Sequence, residues 1–196
     1  MLEKVKKYWK MATEGWVGWL TYALLGIFLA YGTNFILGLI LRTDLPLVVV
    51  VSSSMSHKPE KGILCGSYVT NFVQSFDDYW MYCEKTFKNF GIAKEDFMRF
   101  PFNNGLNVGD VAVVAGSESY SVGDIIVFSP KGAKYPIIHR IVAMNEDGSF
   151  QTKGDHNFAQ LPYEYKVEKN QIHGKVIFVI PYIGLIKVLV VRAMGI

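Results

Sequence analysis

The longest apolar segment of the chain lies near its N-terminus. Residues 16–41, WVGWLTYALLGIFLAYGTNFILGLIL, contain no charged side chain. A bilayer core of roughly 30 Å requires about 20 apolar residues in a helix, so this segment is long enough to span a membrane. A helix packed on the core of a small domain would show a polar face, and a cleaved signal peptide would have a shorter apolar region with a small-residue cleavage site. We therefore expect a retained transmembrane anchor over residues 16–41.

From residue 47 onward the pattern changes to short β-branched or aromatic runs separated by glycine-containing turns. The clearest runs are LVVVVSSSM, DVAVVAG, DIIVFSP, YPIIHRIVAM, GSFQTKG and HGKVIFVI. Strands do not alternate with helices in a βαβ rhythm. The sequence therefore predicts a mainly β fold, with antiparallel strands in barrel-like folded sheets.

Two segments depart from this strand pattern. An aromatic-rich insert occupies about residues 62–105, and within it residues 76–90 are predicted to form a helix with Tyr79, Cys83 and Phe87 on one face. The insert is either a small packing subdomain or a contact surface for a membrane or a partner. The apolar C-terminal segment is interrupted by proline, glycine and basic residues, which predicts a final strand and then a piece packed on the core or lying at a membrane interface.

The distribution of charge indicates an orientation for the anchor. Four lysines precede the apolar segment and one arginine follows it closely: Lys4, Lys6, Lys7, Lys10 and then Arg42. By the positive-inside rule, residues 1–15 form a cytoplasmic basic tail, and residues 42–196 form one extracytoplasmic domain of a single-pass cell-membrane protein. The net charge of +3 is too small and too dispersed to indicate nucleic-acid binding.

Both cysteines, Cys65 and Cys83, lie in the predicted extracytoplasmic part. They either form a disulfide in an oxidising compartment or remain free thiols, since sequence alone does not give their geometry. Two cysteines are too few for a structural zinc site.

Three places carry candidate chemistry: the serines at 52–54, His139 and Asp155. In an extended strand Ser52 and Ser54 face one side and Ser53 faces the other. A serine hydroxyl needs a neighbouring base, and a carboxylate on the other imidazole nitrogen would fix the tautomer of that base. Taken singly, a histidine on an apolar strand face is as well explained as a core residue, and serines at a strand end as turn residues.

Four motifs together resemble the ordered boxes of type I signal peptidases. They are SSSM at 52–55, GDIIVF at 123–128, IIHRIVAM at 137–144 and TKGDHN at 152–157. The archaeal and endoplasmic-reticulum branch has S-G-S-M, G-D-x-x-x-F, H-R-I/V and T-K-G-D-N-N at these places. The resemblance covers the anchor and most of residues 42–185, and it leaves the insert unmatched.

The resemblance implies a membrane-bound serine endopeptidase that removes signal peptides through an acyl-enzyme, without metal or organic cofactor. Ser54 would be the nucleophile and His139 the base, where bacterial members use a lysine. Asp155 would be the acidic partner of the base. Ser52, together with backbone N–H groups such as that of Ser54, would bind the oxyanion.

The implied substrate is the extended cleavage region of a preprotein signal peptide. It would pair with the strands that carry Val51, Ser53, Pro136 and Ile138, next to shallow pockets for small side chains. The lipid bilayer is a further expected partner, and a secretion translocon is a candidate partner.

The chain departs from the family pattern in two of the boxes. Residues 56–58 lengthen the turn between Met55 and the next proline, and GDNN is replaced by GDHN. The second aspartate usual downstream is missing, so that Glu164 competes with Asp155 as the orienting carboxylate, and His57 and His156 are rival bases. These departures keep two other functions open: a non-catalytic membrane-anchored β module that binds peptides or a secretion partner, and a protease for other precursors such as pilin-like ones.

Overall fold

The computed structural model describes residues 2–193, including all of their side chains except those of residues 2, 5, 7, 11, 12, 191 and 192. The helices are α1 (Leu2–Thr13), α2 (Gly15–Leu41), α3 (Phe76–Lys88), α4 (Lys94–Arg99) and α5 (Leu185–Ala193). The strands are β1 (Leu47–Val49), β2 (Ile63–Leu64), β3 (Ser67–Tyr68), β4 (Val111–Ala115), β5 (Ile125–Phe128), β6 (Ile137–Met144), β7 (Phe150–Lys153) and β8 (Ile172–Ile180). The chain forms two compact units, Met1–Ile40 and Leu41–Ile196.

The first unit consists of α1 and nearly all of α2. Among the described residues, α2 is the one helix that is long and apolar enough to cross a membrane, and its most apolar stretch has no buried residue. The predicted apolar helix is therefore confirmed. Lys4, Lys6 and Lys10 of the basic segment are exposed on α1, whereas the side chain of Lys7 lies outside the described part.

The second unit is built on a six-stranded sheet with the order β1-β4-β8-β5-β6-β7, which curls into half a barrel. Every pair of neighbouring strands in this sheet is antiparallel. The predicted mainly β, antiparallel fold is confirmed. A separate hairpin of β2 and β3 begins the insert.

Strand β5 shows why the sheet has a core on both faces. All four residues of β5 are buried, as expected for a strand at the centre of a covered sheet. Side chains alternate along the strand, so that Ile125 and Val127 pack in one apolar cluster, and Ile126 and Phe128 pack in another.

The insert forms a third apolar cluster, centred on α3. A capping box between Ser75 and Asp78 begins this helix. The predicted face is confirmed, because Tyr79, Cys83 and Phe87 are all fully buried. The insert thus has a packed core of its own, and its cluster includes Val142 of the main sheet.

Strand β1 is shorter than the sequence pattern predicts. Extended pairing was expected through Ser54, but β1 ends at Val49 and the serines lie in a bend. Val50 still exchanges backbone hydrogen bonds with residues 109 and 110, and beyond that point the tight turn between Asn107 and Asp110 removes the partner strand. The chain therefore turns just where the candidate nucleophile lies.

The C-terminal segment follows the predicted order of a strand and then a packed piece. After β8, the N–H of Gly184 donates to Gly109 O, and Val188 of α5 is buried. Ile186 and Leu189 of the same helix are exposed. Residues 194–196 of this segment lie outside the described residues.

Cys65 and Cys83 form a disulfide with a sequence separation of 18, which joins the β2–β3 hairpin to α3. A closed loop of this length restricts the unfolded chain and stabilises the fold by about 3 kcal/mol in the chain-entropy model.

Reduction of the disulfide should therefore lower the Tm of the full chain in detergent by roughly 10 °C, measured by circular dichroism. The C65A/C83A variant serves as the control, since its Tm should not respond. An unchanged Tm on verified reduction of the wild type would contradict this role.

Candidate active site

The turn after β1 presents Ser54 beside Ser52. The two hydroxyl oxygens are 3.1 Å apart, whereas the Ser53 hydroxyl donates to Glu60 on the other side of the chain. The alternation predicted for the three serines therefore survives although the strand itself does not. Met55 is fully buried and its carbonyl accepts from Leu106 N–H, which anchors the turn in the core.

His139 lies on β6 with only 3% of its surface exposed. Its Nδ1 is 2.5 Å from Oε1 of the fully buried Glu164. A carboxylate oxygen accepts, so Nδ1 donates and the neutral ring carries no proton on Nε2. Glu164 is held in turn by the N–H of Leu161, 2.8 Å from Oε2, and by the Thr152 hydroxyl.

Gly154 brings the nucleophile turn and the base together. A Cβ placed on Gly154 would lie 2.6 Å from Ser54 O and 2.9 Å from His139 Nε2, so both residues face this glycine. Within the described hydrogen bonds, the Ser54 hydroxyl contacts Ser52 and not His139. Catalytic hydrogen bonds are often long without substrate and tighten in the complex.

The structure does not bring Asp155 to His139. Both of its carboxylate oxygens accept from Arg140, at 2.9 Å and 2.7 Å, and Oδ2 is also 3.1 Å from His57 Nε2. The physical reason is strand alternation: His139 and Arg140 are neighbours on β6 and point to opposite faces. Glu164 therefore meets the histidine on one face, and Asp155 meets the arginine on the other.

The Arg140–Asp155 pair determines the charge state of the Asp155 carboxyl. Burial opposes ionisation of Asp155, but the Arg140 guanidinium and the His57 hydrogen bond outweigh it and hold the pKa of this carboxyl well below its usual range. Burial lowers the pKa of His57, and its hydrogen bond to Asp155 only partly opposes this effect. Asp155 is therefore an acceptor, and His57 donates to it from Nε2.

Two basic residues near the site were not singled out from the sequence. Arg140 is fully buried and donates five hydrogen bonds, and Lys153 donates from Nζ to Gly154 O at 2.8 Å and to Asn157 O at 2.7 Å. Burial lowers the pKa of Lys153 to about 8. That pKa would suit a general base, but both hydrogen bonds bind the amine to the backbone of its own loop. A charged residue inside a mostly apolar strand was the available signal for Arg140.

The residues predicted to bind substrate lie at two strand ends. Val51 and Pro136 are exposed, Ile138 is half-buried, and Ser53 is half-buried with its hydroxyl bound to Glu60. β7 pairs with β6 only from Arg140 onward, so the segment before His139 extends beyond its neighbour. An unpaired strand edge of this kind can accept an extended peptide.

A second Ser-His-Asp arrangement lies elsewhere in the same unit. Ser129 Oγ is 2.8 Å from His173 Nε2, and His173 Nδ1 is 2.7 Å from Asp44 Oδ1. The Asp44 side chain is 70% exposed, the Ser129 N–H already donates to Gln171 O, and a proline without an N–H follows Ser129. This arrangement therefore lacks a buried orienting carboxylate and the local backbone donors that an oxyanion requires.

Replacing Asp155 with Asn should destabilise the full chain by about 3 to 5 kcal/mol, because Arg140 would keep a buried charge without its partner. The folded-state pKa of Asp155 is depressed, so its contribution is complete above pH about 4 and is lost as the pH falls toward the lower folded pKa. Thermal unfolding should therefore show that wild-type Tm falls more steeply below pH about 4 than that of D155N. D77N, which removes a surface pair with Lys94, should cost less than about 1 kcal/mol. Equal losses for both variants would contradict this prediction.

No group of three or more His, Cys, Asp or Glu side chains within the described residues has the arrangement of a metal site. The residues of the candidate site come from three places: the turn after β1, strand β6, and the segment from Gly154 to Glu164. These groups include the Ser54 hydroxyl and a histidine whose Nδ1 donates to the buried carboxylate of Glu164.

Curated relatives match part of the chain. It is 35% identical over 80 residues to the signal peptidase complex catalytic subunit sec11 of Sclerotinia sclerotiorum, a match that covers 37% of this chain and 46% of the relative. It is 33% identical over 76 residues to the signal peptidase complex catalytic subunit SEC11C of Homo sapiens, over 34% of this chain and 40% of that protein. The sec11 subunit of Neurospora crassa is 35% identical over 77 residues, or 35% of this chain and 45% of that protein.

The chain spans less than half the length of these curated relatives. No protein-family profile matches it. The resemblance inferred from the four motifs is nevertheless confirmed: over about a third of its length, this chain is similar to catalytic subunits of the signal peptidase complex.

Proposed function

We propose that this protein is a membrane-anchored serine endopeptidase that removes signal peptides from secreted preproteins. The observation that carries the proposal is the buried hydrogen bond of 2.5 Å between His139 and Glu164, on a histidine whose Nε2 faces the same glycine as the backbone carbonyl of Ser54. The partial similarity to signal peptidase catalytic subunits supports the substrate class.

In the proposed acylation step, the Ser54 hydroxyl gives its proton to His139 Nε2 as its oxygen attacks the scissile carbonyl. Glu164 stabilises the imidazolium that forms, because Nδ1 already donates to it. The imidazolium then protonates the leaving amine as the peptide C–N bond breaks. Water, deprotonated by the same nitrogen, hydrolyses the Ser54 ester and releases the signal peptide.

Ser52 is the proposed side-chain donor to the oxyanion. Its hydroxyl lies 3.1 Å from Ser54 Oγ, beside the place where the carbonyl oxygen of a substrate bonded to Ser54 would develop charge. Ser52 is exposed and Ser54 is half-buried, so a peptide can approach this part of the turn. One such donor typically contributes about 100- to 1000-fold in kcat.

The proposed location places the reaction next to the membrane surface. We assign α2 as a single transmembrane anchor with the lysines of α1 on the cytoplasmic side and the sheet domain on the outer side. The connection from Leu41 to Ser54 can reach at most about 45 Å even when extended. A signal peptide held in the bilayer offers its cleavage site, with small residues at positions −1 and −3, within this range.

Replacement of Ser54 with alanine should abolish cleavage of a preprotein by the full chain in detergent or liposomes, because the nucleophile is gone. The rate should fall by at least about 1000-fold, measured by gel-resolved conversion of precursor to mature product. S129A is the matched control, since Ser129 also bonds to a histidine but is not assigned a role, and it should retain wild-type cleavage. Retained cleavage by S54A would remove Ser54 from the mechanism, and absence of cleavage by wild type on every preprotein tested would favour a non-catalytic binding module.

Replacement of Glu164 with Gln should lower kcat by about 1000- to 10,000-fold with a small change in KM, because a neutral amide neither stabilises the imidazolium nor fixes the tautomer. E164D, which keeps the charge on a shorter side chain, should recover part of the loss. The control is E168Q, which removes the partner of an exposed lysine and should leave kcat unchanged. If E164Q matched wild type while D155N lost kcat without unfolding, Asp155 and not Glu164 would be the partner of the base.

A further inference from the structure

Two histidines join the nucleophile turn to the loop that carries Gly154. His156 lies in the GDHN motif, where its N–H donates to Ser54 O at 2.9 Å and its Nδ1 is 3.2 Å from Ser56 O. A carbonyl oxygen only accepts, so His156 donates from Nδ1 as well. The loop is therefore hydrogen-bonded to the turn on both sides of Met55.

His57 supplies a third hydrogen bond between the same two segments, this time from the turn to the loop. We call these three hydrogen bonds, two from His156 and one from His57, the seam. The Nε2 of His57 donates to Asp155 Oδ2 at 3.1 Å. Asp155 is fixed by the two hydrogen bonds from Arg140 described above, so this link connects the turn to a rigid group.

The insert holds His57 in place. The ring of Tyr79, from α3, stacks on the His57 ring with centroids 3.5 Å apart and planes 1° apart. The Tyr79 hydroxyl donates to Asp155 O at 2.9 Å, so one residue of the insert contacts both sides of the seam. On the other side, a Cβ at Gly105 would lie 2.6 Å from the His57 ring, so only glycine leaves room for it.

These links coincide with the two places where the sequence departs from the signal peptidase pattern. Residues 56–58 lengthen the turn after Ser54, and a longer turn has more conformations to restrict. The same lengthening supplies His57, and the change from GDNN to GDHN supplies His156. A displacement of about 1 Å in a reacting group can cost about 100-fold in rate, so a turn held only at Met55 would position the nucleophile poorly.

We propose that His57 and His156 are positioning residues that fix the turn carrying Ser54 to the loop of Gly154, which His139 Nε2 also faces, through the three hydrogen bonds of this seam. The proposal rests on the function assigned above, since it concerns the geometry of the same nucleophile. Neither histidine exchanges a proton with substrate in this account. Tyr79 extends the seam into the insert, which gives that subdomain a part in catalysis without a contact to the reacting atoms.

The test compares donor-deleting and donor-keeping substitutions in the full chain. H57F retains a ring over Tyr79 but loses the hydrogen bond, whereas H57Q retains a donor at the position of Nε2. H156A loses the side-chain donor, whereas H156N places an amide donor near the position of Nδ1. H173N is the control for replacing a histidine outside the seam, because the side chain of His173 contacts Asp44 and Ser129.

Preprotein cleavage should show kcat lowered about 10- to 100-fold in H57F and H156A, with KM within about two-fold of wild type. H57Q and H156N should recover most of kcat, and H173N should match wild type. The double variant H57F/H156A should lose less than the product of the single losses, because both residues restrain the same turn.

Two results would overturn the proposal. If H57F and H156A kept wild-type kcat while S54A was inactive, the seam would have no role, although the proposed function would stand. If H57Q and H156N kept the wild-type Tm but restored no kcat, the hydrogen bonds would not be what positions Ser54. Cleavage by S54A would instead overturn the proposed function, and this proposal with it.

Discussion

The buried guanidinium of Arg140 is the group on which the architecture of the site depends. Its five N–H donors all have acceptors: the two oxygens of Asp155 and the carbonyls of Pro101, Phe102 and Gly123. These acceptors belong to the loop after β7, the end of the insert and the turn before β5. A buried charge is tolerated only when it is paired and fully hydrogen-bonded, so these three segments have to meet at one point of β6.

This constraint also keeps the carboxylates of Asp155 and Glu164 on opposite faces of β6. Neighbouring residues on a strand face opposite sides, so the arginine that holds Asp155 cannot share it with His139. Glu164 is therefore left to orient the histidine. A buried ion pair on one face thus acts as the scaffold, and the hydrogen-bonded histidine on the other face is the base of the proposed mechanism.

The elements governed by side-chain periodicity could be predicted from the sequence. Strands β4 to β8 follow from short β-branched or aromatic runs between glycine-containing turns, and helix α3 follows from apolar residues at intervals of three to four. The four motifs pointed to Ser54 and to the histidine next to the arginine. The sequence left the carboxylate partner open between Asp155 and Glu164, because Glu164 lies on a short 3-10 turn reached through an irregular segment without periodicity. The seam made by His57 and His156 depends on two loops far apart in sequence, and no local pattern reports such a contact.

The disulfide shows the same limit, since pairing depends on the distance between Cys65 and Cys83 in space and not on their spacing in the sequence.

The central claim, that Ser54 is an activated nucleophile, can be tested directly by identifying the residue modified by a serine-reactive phosphonate on the full chain. Mass spectrometry of the digested adduct should locate a single modification on Ser54, and E164Q should slow its formation. Modification of Ser129 instead, or no modification of a chain that cleaves preprotein, would contradict the account.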